Sequence, residues 1–203
     1  MARTLRVLQV APVPERLNPY VYLLARSLEA EGAKCTIWNH FSLRRFLAGR
    51  HRVDILHFHW AEHLCSPSRP ARTWKDFLQL SIGLVYAKAT RCRLVYTVHN
   101  LDPHGGTTAR VSSMAHRLLL AVADGLHVHD EYSRLRLQER VKGRRPVFPI
   151  PHGHYIGAYP NRCSREEARA RLGLEGEAFA YLFLGQMRPH KGIEDLVVAF
   201  QHI

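Results

Sequence analysis

Short apolar runs alternate with amphipathic stretches through the first 150 residues, and this alternation constrains the fold more than any other feature. Leu5-Arg6-Val7-Leu8-Gln9-Val10-Ala11 reads as a buried strand, and similar runs stand at 35–38, 53–60, 93–98, 125–129 and 146–150. Between them lie stretches with helical spacing of apolar residues. In the first, Asn18-Pro19 suits an N-cap followed by proline at the opening helical position, Val21, Leu24, Ala25 and Leu28 share one face, and Gly32 closes the helix. Others are expected at 72–89, 111–123 and 131–139. Strands separated by helices of this length pair in parallel, with helices on both faces. The expected class is α/β, with a Rossmann-like parallel sheet.

The pattern changes after position 150. The stretch 149–163 carries three prolines and two glycines and suits an interdomain linker. Ser164-Arg165-Glu166-Glu167 then has the form of a capping box for a helix reaching Leu172. A second apolar run, 180–185, ends at Gly185 and reads as a strand. Lys191-Gly192 opens a helix with Ile193, Leu196, Val197 and Phe200 on one side. The expected organisation is a Rossmann-like domain over 1–150, a linker or crossover over 151–176, and a further strand and helix over 177–203. Strand, basic loop and helix N-terminus together make an anion site, because unpaired N–H groups and the helix dipole face the loop. Arg188 and Lys191 add formal charge there.

The net charge of +12 is unevenly placed. Up to position 150 there are 23 Lys+Arg against 11 Asp+Glu, and beyond it 6 against 6. A basic first domain favours anionic partners such as polyphosphate substrates or a membrane surface. No nucleic-acid-binding module or ladder of aromatics among the basic residues is present, so nucleic acid is not an expected partner. No run of eighteen apolar residues suggests a membrane span. Met1-Ala2-Arg3 leads straight into strand pattern, without a signal-peptide form. Cys35, Cys65, Cys92 and Cys163 form no C-x-x-C pair, which fits free thiols in the cytoplasm. The first strand lacks a G-x-G-x-x-G turn, which argues against a nicotinamide or flavin cofactor.

Ligands of open parallel sheets bind beyond the carboxyl ends of the strands. Many of the 14 histidines fall there: His57 and His59, His99 and His104, His127 and His129, His152 and His154. One reading is a metal: His57/His59 or His127/His129, each spaced i, i+2, chelating zinc with Asp102 or Asp130 as in hydrolase barrels. Set beside it is an ordinary structural role, since strand-end histidines often bond to backbone carbonyls.

Three motifs support another reading. Thr97-Val98-His99-Asn100-Leu101-Asp102-Pro103-His104, Ile150-Pro151-His152-Gly153-His154-Tyr155, and Gly185-Gln186-Met187-Arg188-Pro189-His190-Lys191-Gly192 occur in this order. Together they resemble retaining glycosyltransferases of the GT-B fold, of the group 1 or family 4-like kind. They match its N-terminal domain, its domain crossover and the opening of its donor-binding domain. The family often has Arg directly after the Gly, where this chain has Gln186; Arg188, three residues on, matches other members.

The resemblance implies transfer of a hexose from a nucleotide-sugar to a sugar or lipid-linked acceptor, with retention and with no metal or separate cofactor. It implies that His99 and Asn100 lie near the donor sugar, where an imidazole can donate to a hydroxyl or stabilise charge. Arg188, Lys191 and Gly192 would hold the donor diphosphate. Asn18, Tyr20 and His152 are candidate acceptor or cleft residues. The family's later acidic segment, two Glu separated by seven residues, is not within the 203 residues, so this chain alone is expected to be inactive. A peripheral position at the inner face of a membrane, where lipid-linked acceptors reside, fits the basic first domain. The alternatives are a non-catalytic module binding glycan or an anionic surface, and the zinc hydrolase.

Overall fold

The computed structural model describes residues 3–49, 53–65, 70–102, 109–176, 178–185, 187 and 191–202. They divide into two compact units, 1–155 and 156–203.

The first unit is a single six-stranded parallel sheet with helices packed around it, the expected α/β Rossmann-like class. In chain order its elements are β1 (Arg6–Val10), α1 (Tyr20–Ala30), β2 (Lys34–Trp38), α2 (Leu43–Ala48), β3 (Ile55–His59), α3 (Ala61–Leu64), α4 (Pro70–Ala89), β4 (Arg93–Thr97), α5 (Ala109–Val122), β5 (Gly125–Val128), α6 (Glu131–Arg140) and β6 (Val147–Pro149). The strand order is β2-β1-β3-β4-β5-β6. The direction of winding reverses at β1, which places a crevice beyond the carboxyl ends of β1 and β3.

The period-2 geometry of strands sorts the side chains onto two unlike faces. Leu8, Val10, Leu56, Phe58, Leu94, Tyr96, Leu126 and Val128 share one face and form the main apolar core. Trp38, Phe46, Leu80, Leu84, Leu119 and Leu137 are buried in the same core. The opposite face is polar at its centre. Parallel register aligns Gln9 with His57, His59 with Thr97, and Thr97 with His127. All five are buried. A small second cluster of Ala11, Tyr20 and Val21, flanked by Leu24, Ile37, Trp60 and Tyr155, forms beside them.

Several boundaries move from their expected places for local reasons. Pro19, not Asn18, is the N-cap of α1, yet Asn18 Oδ1 still accepts from the Tyr20 N–H at 3.0 Å. β3 ends at His59 because Trp60 turns into the left-handed region, φ 47°. The short helices α2 and α3 were not expected, since four to six residues span too little of a helical period to be read. Ser42 caps α2, accepting from the Arg45 N–H. Gly83 of α4 is required by packing: a Cβ there would lie 2.3 Å from the Phe41 ring, which itself sits against Phe46 and Phe58.

α4 carries an outward apolar stripe. Trp74, Leu78, Ile82 and Val85 recur at helical spacing and are all exposed, Val85 at 70%. Among the described residues no helix is long and apolar enough to cross a membrane.

The second unit contains α7 (Arg165–Leu172) and α8 (Ile193–Phe200). The capping box at α7 forms as expected: Ser164 Oγ accepts from the Glu167 N–H, and Glu167 accepts from the Ser164 N–H. Gly173 closes the helix at φ +66°. The expected strand at 180–185 does not form among the described residues. Phe179 and Leu184 are 83% and 89% exposed, and the segment joins no ladder. An extended run gains strand hydrogen bonds only from a neighbouring strand, and the described residues of this unit offer none. Tyr181 of this segment meets Phe200 of α8 ring to ring, 5.3 Å apart.

Candidate functional site

Five of the histidines expected along the carboxyl edge, His57, His59, His99, His127 and His129, come together in two connected hydrogen-bond chains on the polar face. In the first, His57 Nε2 lies 2.7 Å from Thr97 Oγ1, Thr97 Oγ1 lies 3.0 Å from His127 Nδ1, and His127 Nε2 lies 3.0 Å from the Ile150 carbonyl. A carbonyl can only accept, so His127 carries its proton on Nε2. Its Nδ1 then accepts from the Thr97 hydroxyl, which in turn accepts from His57 Nε2–H.

The second chain runs parallel to it. His129 Nδ1 lies 3.3 Å from the same Ile150 carbonyl, His129 Nε2 3.4 Å from His99 Nδ1, and His99 Nε2 3.4 Å from His59 Nδ1. The same logic places protons on Nδ1 of His129, His99 and His59, leaving His59 Nε2 as an acceptor. It faces the Gln9 side-chain amide at 3.2 Å, and the Gln9 NH2 is otherwise unpartnered and buried. The network therefore assigns the NH2 to His59. Ile150 is fixed by its N–H bond to Val128 and by Pro151 behind it, so both chains end on an anchored acceptor.

Every imidazole in this array is held neutral. Burial lowers His57 to about 3, with His127 adding like-charge repulsion. Burial also lowers His99 to about 3, assisted by His129, His127, His152 and His57. His59 falls well below its ordinary value from burial and four neighbouring histidines. His127 and His129 move the same way, chiefly from burial, the Ile150 carbonyl opposing in both cases and Asp130 opposing at His129. A low-dielectric site with no bonded carboxylate disfavours imidazolium.

Aromatic rings enclose the array. Trp60 stacks on His99, centroids 4.2 Å apart and 12° from parallel, an orientation set by the left-handed turn after β3. Tyr20 meets His99 and His129 edge-on, at 5.2 and 5.3 Å, and lies 4.8 Å from His152. Tyr20 is buried, so its ring packs the imidazoles. Its phenol is pushed up to about 12, chiefly by burial. Asn18 Oδ1 also accepts from Tyr155 Oη at 3.0 Å, tying the start of α1 to the segment after β6. Asn100 Nδ2 donates to Glu62 Oε1 at 2.8 Å, toward α3. His152 is exposed and meets Tyr155 and His129 ring to ring.

The remaining expected residues belong to the second unit. Gly192 is the N-cap of α8 in the left-handed region, φ +64°, a conformation that favours glycine. Lys191 is exposed beside it. Glu194 and Asp195 occupy the first turn of α8, where they already complement the helix dipole. Arg188 lies outside the described residues, as does His104 of the first unit. No group of three or more His, Cys, Asp or Glu able to hold a metal occurs among the described residues. Sequence reasoning gave no role to Gln9, Thr97 or Trp60. The parity of Gln9 and Thr97 with the strand histidines was the signal available for those two.

No protein-family model matches the chain. Over 162 residues it is 30% identical to the GDP-mannose:glycolipid 4-beta-D-mannosyltransferase of Xanthomonas campestris pv. campestris, and equally to that of its strain ATCC 33913. The match takes in 77% of this chain and 40% of each relative, so the chain spans about two fifths of the length of these curated relatives. Two solved structures align with a TM-score of 0.37: Vibrio cholerae chemotaxis protein CheY4 (13% identity, 68% of this chain and 99% of that one) and a mutant of esterase AlinE4 (14% identity, 100% and 95%). The relationship that the sequence similarity supports is to glycosyltransferases.

Proposed function

We propose that this chain is part of a glycosyltransferase that moves a hexose from a nucleotide-sugar to a sugar or lipid-linked acceptor. The observation that carries this reading is the neutral imidazole of His99, stacked on Trp60 and held between His59 and His129 beyond the carboxyl ends of β3 and β4. A histidine lowered to about 3 is a poor base at neutral pH but a competent neutral hydrogen-bond partner for a sugar hydroxyl. The 3.4 Å contacts on both ring nitrogens are long, so a substrate hydroxyl can replace one at small cost. Asn100, fixed by Glu62, lines the same turn. Lys191 and the N-terminus of α8, with Arg188, would neutralise the departing diphosphate, with no metal required.

The donor class follows the relatives' name, which specifies GDP-mannose and a glycolipid. Retention is the course implied by the motif resemblance, and a weakly basic His99 fits it, since direct inversion calls for a general base. Inversion is the second reading, favoured by the β-mannoside in the relatives' name, because a β-linked product from an α-linked donor is inverted. A peripheral membrane position at the inner face completes the proposal. The exposed stripe on α4 and the basic first unit are the features that would meet anionic lipid.

The test is transfer of labelled hexose from a panel of nucleotide-sugars to lipid-linked glycans by the protein that contains this chain. Proton NMR of the product's anomeric centre separates retention from inversion. His99→Ala should lower kcat at least roughly 100-fold, the scale of a lost transition-state hydrogen-bond donor. Binding of glycans or anionic vesicles with no consumption of any nucleotide-sugar would replace this reading with a non-catalytic binding module.

A further inference from the structure

A second polar site lies away from the histidine array, between α5 and the end of α6. It is a pocket of about 630 Å³ lined by His116, Arg117, Arg140, Lys142, Arg144 and Arg145. Asp102 is the one carboxylate among its described lining residues; it is exposed and bonds Arg140 at 3.0 Å. Arg140 also donates to the Leu101 carbonyl, and Arg145 to that of Ala121, which fixes two of the five cationic side chains on the wall. The turn after α6 takes a left-handed residue at Lys142, φ 51°, followed by Gly143 at φ +65°. This directs 142–145 back toward α5.

His116 gives the pocket a chemical preference. Its side chain is 3% exposed, its Nδ1 lies 2.8 Å from Tyr96 Oη, and its Nε2 is buried with no hydrogen-bond partner among the described residues. The nearby Leu101 carbonyl, which accepts from Arg140, favours the imidazole N–H without forming a hydrogen bond to it. Burial pushes the Tyr96 phenol far up, so it stays protonated, and the Ala61 backbone N–H engages its oxygen. The phenol hydrogen is therefore given to His116 Nδ1, and the imidazole proton sits on Nε2. A buried N–H is costly to leave unpaired unless an acceptor reaches it. Among five cations the acceptor that fits best is an anionic oxygen.

We propose that the α5–α6 pocket binds a phosphoryl group, as a phosphate monoester or diphosphate, through His116 Nε2–H and the surrounding guanidinium and ammonium groups. Planar guanidinium forks match phosphate oxygens in pairs, and Lys142 adds a point charge. The chemistry is shared by a soluble phosphate compound and a phospholipid headgroup. The pocket is built wholly from residues of the first unit and shares none with the Lys191–Gly192 turn, and its occupancy does not depend on sugar transfer.

Calorimetric titration of the 203-residue chain with pyrophosphate, at ionic strength held constant with chloride, tests the proposal. Saturable binding is expected. The double variant Lys142→Glu/Arg144→Glu should weaken it at least about tenfold, as the loss of charge-assisted contacts does. His116→Phe should weaken it several-fold, and His116→Gln, which keeps a donor, should recover part of the loss. Lys34→Ala, an exposed cation on β2 outside the pocket lining, should leave it unchanged. In parallel, the histidine ring nitrogens followed by NMR should show the His116 Nε2 signal moving with pyrophosphate. Phosphatidic acid vesicles, against phosphatidylcholine vesicles, identify the source. Binding lost in the double variant and displaced by pyrophosphate assigns a headgroup, and vesicle binding that ignores both assigns a soluble phosphate. Absence of saturable pyrophosphate binding overturns the proposal whatever the vesicles do. So does binding that survives the double variant but is abolished by Lys191→Ala.

Discussion

Acidification from about pH 7.5 to about pH 5.0 should destabilise the first unit by an amount that the buried histidines set. Folding holds His57 and His99 neutral, each lowered to about 3, whereas the unfolded chain protonates them near 6.5. Above about 6.5 neither state binds the proton and no penalty exists. Below it the unfolded state gains protons that the folded state refuses, so stability falls with pH until the folded values are reached. Over that interval each such imidazole removes about 2 kcal/mol, or about 4 kcal/mol for the pair. His59, His116, His127 and His129 are lowered as well and act in the same direction. Against a typical total of about 5–15 kcal/mol, this loss brings the unfolding midpoint into mildly acid solution.

Urea unfolding at the two pH values measures it. The informative quantity is the difference in stability between them, because the baseline cost of any substitution cancels. His57→Gln keeps a donor for Thr97 and removes one titrating group, so the difference should shrink by about 2 kcal/mol. A wild-type difference below about 1 kcal/mol would refute the neutral buried array, since protons would then enter the folded state freely. An unchanged difference in His57→Gln would refute the assignment of that share to His57.

Thr97→Val leaves His57 Nε2–H and His127 Nδ1 without their shared hydroxyl, so chemical unfolding should show a loss of about 2–4 kcal/mol. Gly83→Val forces a branched side chain into the Phe41 ring and should cost about 1–3 kcal/mol, read as a lowered urea midpoint at unchanged slope. Lys191→Ala, in the protein that contains this chain, should cost several kcal/mol of transition-state stabilisation, to order of magnitude. An unchanged kcat/KM would remove Lys191 from the diphosphate site.

The sheet was legible because each strand announces itself as a short apolar run and each crossover as a helical period. The two faces were less so. Leu8, Leu56 and Leu94 reveal the apolar face by type, but Gln9, His57, Thr97 and His127 alternate with them and read singly as polar residues in strands. Only the register, which sets them side by side across four strands, turns them into a network. The roles of Trp60 and Ile150 depend on backbone, a left-handed turn in one case and a carbonyl in the other, and residue type does not encode these. The strand at 180–185 shows the converse. Its composition is right for a buried strand, but ladder bonds need a neighbour, which no property of the run itself supplies.

The polar face has a physical implication for function. Five buried polar side chains, three of them histidines, occupy positions where Val or Leu would pack with less risk, because a buried polar group with one bond missing costs more than an apolar neighbour contributes. The two chains satisfy nearly all of these groups by ending on a single carbonyl, Ile150, held between two prolines. Such an arrangement fixes tautomers, and a fixed tautomer matters little to packing but greatly to a hydrogen bond that must point at a substrate. His99 is the member with both ring nitrogens in 3.4 Å contacts, either of which a hydroxyl can displace. If the array served packing alone, replacing the outer histidine, His129, by Leu would leave transfer intact in the protein containing this chain. If it orients His99, that substitution should lower kcat at least about tenfold while leaving KM for the donor within about threefold, the pattern of an interaction made only in the transition state. Recovery by His129→Gln, which can still accept from His99 Nδ1–H, would distinguish orientation of the ring from loss of the fold.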